Sequence, residues 1–131
     1  MKRPRRVFLS YAQTDRHLAE TLAKDLSAAG FAVWSDQEIM PGGNWARQVA
    51  EALDESEAMV VIVSPAAAKS ESVRREVEFA LTSPSYAGRL IPVVAKPTSQ
   101  MPWILEKLRP VSVKKDASGI SRQVIEALET R

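Results

Sequence analysis

The residue whose type and position most invite chemistry is Glu76, inside the stretch SVRREVEFAL from Ser72 to Leu81. At about 100° per residue, Val73, Val77, Ala80 and Leu81 gather on one apolar face of a helix, and Arg74, Arg75 and Glu78 on the other. Glu78 follows Arg74 and Arg75 at the spacings of helix-surface ion pairs, which accounts for it fully. Glu76 falls instead at the margin of the apolar face. Its neighbours one turn away are Ser72, Val73, Phe79 and Ala80, none of which can neutralise a carboxylate. Partial desolvation there would raise its pKa, and a perturbed acid beside a cleft is a candidate for chemistry. The plainer alternative is a glutamate snorkelling from a core boundary.

The remaining inventory narrows the options. There are no cysteines, which excludes disulfides, thiol nucleophiles and thiolate metal sites. The single histidine, His17, starts a helix and reads as an exposed helix residue, too little for a metal site or a Ser-His-Asp triad. Neither the G-x-G-x-x-G fingerprint nor the P-loop pattern is present, since the only glycine pair is Gly42-Gly43. A phospho-acceptor domain would want acidic residues after its first strand and an aspartate ending its third, where this chain has Ser10-Tyr11 and Ser64-Pro65. What is left is carboxylate chemistry centred on Glu76, with Asp36 and Glu38 as polar partners from a neighbouring loop.

The elements that must position Glu76 alternate along the chain. RVFLS (Arg6 to Ser10) and FAVWS (Phe31 to Ser35) read as strands, AMVVIVS (Ala58 to Ser64) as a strand buried on both faces, RLIPVV (Arg89 to Val94) as a fourth, and PVSV as a short fifth. Helices are expected over RHLAETLAKDLSAAG, with Leu18, Leu22, Leu26 and Ala29 in phase and Gly30 as the stop, and over ISRQVIEALE near the end. DQEIMPGG is a loop, after which Asn44 can cap a helix carrying Val49, Ala52 and Leu53; MPWILEKL makes a short helix with Pro102 in its first turn. Trp34 reads as a core residue at a strand end.

This alternation calls for an α/β fold: a five-stranded parallel sheet of flavodoxin-like order 2-1-3-4-5, flanked by helices in three layers. Ligands of such sheets settle at the carboxyl ends of the strands, where the order reverses between strands one and three. The loops expected to meet there are SYAQTD and SPAAAKSES, and Glu76 lies less than two turns into the helix that follows the second.

With 131 residues, 45% of them hydrophobic and 26% charged, the chain suits one domain. The net charge of +2 rests on Lys2, Arg3, Arg5 and Arg6; without them 14 basic residues face 16 acidic ones. A nucleic-acid groove, which needs a sustained basic stripe with stacking aromatics, is therefore not expected. No apolar run reaches the length of a membrane span, and MKRPRR is not followed by a signal-peptide core, so a soluble, cytoplasmic protein is expected.

RVFLSYAQTD, GFAVWSDQEIMPGGNW and VVIVSPAAAKS, followed by the helix of SVRREVEFAL, together resemble a Toll/interleukin-1 receptor (TIR) domain of the bacterial type, from about Val7 to the last helix. The resemblance implies one of two occupations. Some TIR domains are scaffolds that signal by homotypic assembly through the long loop after strand two, here Asp36 to Asn44; others cleave NAD⁺ at the nicotinamide–ribose bond and assemble to do so. In the enzymatic branch the catalytic glutamate occupies the register of Glu76. A third class, a nucleotide sensor using the same cleft, lacks any visible phosphate-binding pattern. The resemblance also implies that residues 1–131 are a single domain, the N-terminal part of a longer protein with a fused or partner sensor, acting in immune or defence signalling.

By the same resemblance, Ser10, Tyr11 and Ala12 border the substrate pocket from the first loop, Trp45 from the loop after strand two, and Ala68 and Ser72 from the region after strand three. NAD⁺ would be substrate, with no cofactor or metal. Tyr11 has the alternative reading of a partly buried loop tyrosine, and Trp45 that of an anchor packing its helix. The chain departs from many enzymatic members in two places: Ser72 stands where they carry a tryptophan, and Ala12 and Gln13 where some carry basic residues.

Overall fold

The computed structural model of the chain describes residues 6–35, 55–56, 58–82, 90–95, 111–112 and 118–130. Five strands are set among helices: β1 (Arg6–Ser10), β2 (Ala32–Trp34), β3 (Ala58–Val63), β4 (Leu90–Val94) and β5 (Val111–Ser112). The helices are α1 (Arg16–Ala28), the short α2 (Pro65–Lys69), α3 (Glu71–Thr82) and α4 (Ser118–Thr130), with a 3-10 turn at Gln13–Asp15 leading into α1. The strands form one sheet in the order β2-β1-β3-β4-β5, every neighbouring pair parallel, as the alternation of elements requires.

The two-residue period of the strands sorts the core into two clusters, one on each side of the sheet. Val7, Leu9, Val60, Ile62, Ile91 and Val93 face Leu22 and Leu26 of α1 and Ile120, Val124 and Leu128 of α4. Phe8, Met59, Val61, Val63 and Leu90 face Val73, Val77 and Ala80 of α3 and Ala67 of α2. β3 is buried at every residue, which is why its sequence is apolar without alternation.

Helix α1 stops at Gly30, whose φ of 98° few other residues adopt. The Gly30 N–H donates to the Ser27 carbonyl at 3.1 Å and the Phe31 N–H to that of Leu26 at 3.0 Å, and the Leu26 and Phe31 side chains meet in the first cluster. This is the Schellman arrangement, and it turns the chain into β2.

Several local expectations are corrected. The stretch SPAAAKSES, expected as loop, contains α2: Ser64 caps it by accepting from the Ala67 N–H at 3.1 Å, and Pro65 stands at its start, where a missing N–H costs nothing. Trp34, expected in the core, is 41% exposed because it ends the edge strand. Leu81 and Ala29 are also exposed, each lying just past the buried arc of its helix. Arg75 pairs with Glu71 at 2.6 Å, in the favoured i,i+4 order with the glutamate N-terminal. The expected helices after Asn44 and around Pro102, and the loop from Asp36, lie outside the described residues.

Candidate functional site

Ser10 ends β1 on the same face as Phe8, at the point where the strand order reverses between β1 and β3. That face looks onto α3. The buried arc of α3 takes in Val73, Glu76, Val77 and Ala80 and leaves Leu81 outside, so it is rotated toward Glu76 by about one residue position from the expected apolar face. Glu76 is therefore not at a margin. It is only 1% exposed, and Ser10 is 0% exposed.

The Ser10 hydroxyl donates to Oε1 of Glu76 at 2.7 Å, joining residues 66 apart in sequence. A hydrogen bond to a carboxylate is shorter and stronger than one between neutral groups. A carboxyl group buried this deeply needs compensating partners, and the Ser10 hydroxyl is one of them. The pair is placed where parallel sheets bind ligands. Once uncovered, a carboxylate and a hydroxyl so placed can exchange their mutual bond for bonds to a polyol such as a sugar.

A second hydroxyl–carboxylate pair closes the same end of the sheet. Ser64, the residue after β3, donates to Oδ2 of Asp15 at 2.6 Å while its oxygen caps α2. Asp15 stands at the N-cap of α1, where an aspartate side chain ordinarily accepts from the helix and contributes about 1 kcal/mol. Here it makes no such cap and reaches to Ser64 instead. Neither residue was singled out in the sequence, because the two lie 49 positions apart and no local spacing marks them.

The other expected site residues divide. Ala12 and Ala68 are buried, and Ala12 shares the cluster of Ala67, Val73 and Val77 beside Glu76; Ser72 is half-buried one turn before it. Tyr11 belongs to the opposite cluster, with Val7 and Leu9, and lines a depression of about 340 Å³ with Arg16, Ala19, Glu20, Ala23, Val33 and Ser35. Strand alternation sends its ring to the far side of the sheet from Ser10. At the mouth of that depression Arg16 pairs with Glu20 at 2.8 Å, and this hydrogen bond, with the charge behind it, raises the guanidinium further above its ordinary pKa. His17 is exposed, and Trp45 lies outside the described residues. Among the described residues no three His, Asp or Glu side chains gather as a metal site, and no helix is long and apolar enough to cross a membrane.

A family model, the TIR domain, matches residues 7–127. Comparison with curated proteins yields no match. Among solved structures, the TIR domain of the Toll-related receptor TRR-2 from Hydra magnipapillata is 23% identical with a TM-score of 0.78, over 94% of this chain and 97% of that one. The TIR-STING receptor from C. gigas in complex with 2',3'-cGAMP is 22% identical with a TM-score of 0.79, over 98% of this chain; the chain spans 41% of that protein. The diflavin flavoprotein A3 from Nostoc sp. shares the fold more loosely, at 14% identity and a TM-score of 0.56.

Proposed function

Because the chain belongs to the TIR domain family, we propose that it cleaves NAD⁺ at the nicotinamide–ribose bond, with Glu76 as the catalytic carboxylate, when copies of it assemble. The observation that carries this reading is the enclosed Glu76 carboxylate, hydrogen-bonded to Ser10 at the carboxyl end of β1. The setting would be cytoplasmic immune or defence signalling, coupled to a fused or partner sensor.

The reaction asks little of a general acid. Nicotinamide is bound in NAD⁺ as a cationic pyridinium; when the C–N bond breaks, the electron pair goes to the ring nitrogen and the base departs neutral. The burden is the oxocarbenium-like ribose left behind, as in glycoside cleavage. An ionised Glu76 balances that charge and accepts hydrogen bonds from ribose hydroxyls in place of Ser10. Water then adds to the anomeric carbon and releases a proton to give ADP-ribose, or a nitrogen of the adenine adds instead and gives a cyclic product. At 1% exposure Glu76 has to be uncovered before it meets substrate, and the assembly that the reading takes from the family resemblance would supply that step.

The second reading is a noncatalytic module acting by homotypic TIR contacts through the loop from Asp36 to Asn44. Ser72, in place of a stacking tryptophan, and the uncharged Ala12 and Gln13 favour it. Nicotinamide release measured over a range of protein concentrations, in the natural chain and in Glu76→Ala and Glu78→Ala, separates the two. The catalytic reading expects activity that rises steeply with concentration, survives the change at the exposed Glu78 and disappears with Glu76. No turnover in a demonstrably assembled sample leaves the scaffold.

A further inference from the structure

We infer that Asp15 and Ser64 form a positioning pair that sets where Glu76 stands against the first loop; the inference deepens the catalytic reading and rests on it. A closed circuit of hydrogen bonds ties this pair to Glu76. The Ser10 hydroxyl holds Glu76, and two residues further along the chain the Ala12 carbonyl accepts from the Asp15 N–H at 2.9 Å. The Asp15 carboxylate accepts from Ser64, and Ser64 caps α2 through the Ala67 N–H. Helix α2 passes into α3 at Ser70, whose hydroxyl accepts from the Val73 N–H at 3.3 Å and whose carbonyl accepts from Arg74 at 3.1 Å. Glu76 lies in the next turn, which closes the circuit on Ser10.

Two features mark the Asp15 to Ser64 link as the one that fixes the spacing. It is the described side-chain bond between the turn after β1 and the residue after β3, and so it spans the point where the sheet order reverses. It also draws the Asp15 carboxylate away from the N-terminus of α1, which is left without a side-chain cap. Releasing it leaves the first loop joined to α2 and α3 through the packing of Ala12 against Ala67, Val73 and Val77, which is not directional, so that Glu76 can shift relative to any sugar bound there.

The test uses the whole chain with carbon-labelled glutamate, following the side-chain carboxyl signal of Glu76 by NMR, together with nicotinamide release. Asp15→Ala and Ser64→Ala are each expected to move that signal and to speed amide exchange over residues 65–76 by about tenfold. The double variant is expected to do no more than either alone, because one bond is lost in all three. Asp15→Asn keeps an acceptor for Ser64 and is expected to restore most of the natural signal, which also covers the case in which an alanine variant does not fold. Ser121→Ala removes a like bond, to Asp25 at 2.5 Å between α4 and α1, and is expected to leave Glu76 where it is. In turnover, the two alanine variants are expected to lower kcat about tenfold with KM nearly unchanged, and Asp15→Asn to recover it. A Glu76 signal unmoved by Ser64→Ala and Asp15→Asn, or moved equally by Ser121→Ala, overturns the positioning pair. A natural chain that assembles without turnover overturns the catalytic reading instead, and the carboxyl signal still decides the pair.

Discussion

The Ser10 hydroxyl and the Glu76 carboxylate meet at 2.7 Å in a place that water does not reach, one at the end of β1 and the other in the middle of α3. Because both groups are buried, what the pair contributes to stability and what it contributes to activity can be separated by substitution.

Glu76→Gln keeps the volume and an acceptor for Ser10 but removes the charge. Thermal unfolding at pH 7 is expected to change little, because the volume and an acceptor for Ser10 are both kept. Nicotinamide release by the assembled chain is expected to fall on the order of a hundredfold or more. A glutamine variant that keeps full turnover would remove Glu76 from the chemistry.

Ser10→Ala leaves the buried carboxylate without that donor and is expected to cost about 1–3 kcal/mol in denaturant unfolding. In the Glu76→Gln background the same change is expected to cost about 1 kcal/mol, since the lost bond is then between neutral groups. Equal costs in both backgrounds would mean that Glu76 is not charged in the folded chain.

How far these relationships can be read from the sequence depends on their range. The apolar run of β3, the alternation of elements and the stop at Gly30 are local patterns, and the parallel sheet follows from that alternation. The direction of Glu76 was legible on the helix, but its depth was not, because depth depends on how closely α3 lies on the sheet. Tyr11 shares the odd-numbered face of Val7 and Leu9, a two-residue period visible in the sequence that places it opposite the pocket implied by the resemblance. Helix α2 announces itself through Ser64 and Pro65, yet at five residues it is too short to show a helical period. The Asp15 to Ser64 bond carries no sequence signal at all.

The exposed edge position of Trp34 gives a direct check on that part of the fold. Trp34→Ser is expected to change stability by no more than about 0.5 kcal/mol, where a tryptophan packed in the core would cost about 3–5 kcal/mol on truncation. Denaturant unfolding distinguishes the two without reference to activity.

At Gly30 the expectation is reversed: a mutation that meets no atom should still destabilise. A Cβ there has nothing within 4 Å, but φ is 98°. Gly30→Ala is expected to cost about 1 kcal/mol, and Gly30→Asn less, with turnover per folded molecule unchanged. An alanine variant as stable as the natural chain would mean that the turn into β2 relaxes to another conformation.

If the catalytic reading holds, the enclosure of Glu76 also limits how much an idle chain can leak. If only roughly one molecule in a hundred has the carboxylate uncovered, background consumption of NAD⁺ is about a hundredth of the open rate, and a partner that binds the open form 10⁴-fold more tightly brings it to nearly full flux. On that reading such a chain can be kept at a working concentration in a cell that depends on the molecule it would destroy. The threshold for harm then lies in the number of neighbours each copy finds, not in the amount of protein made.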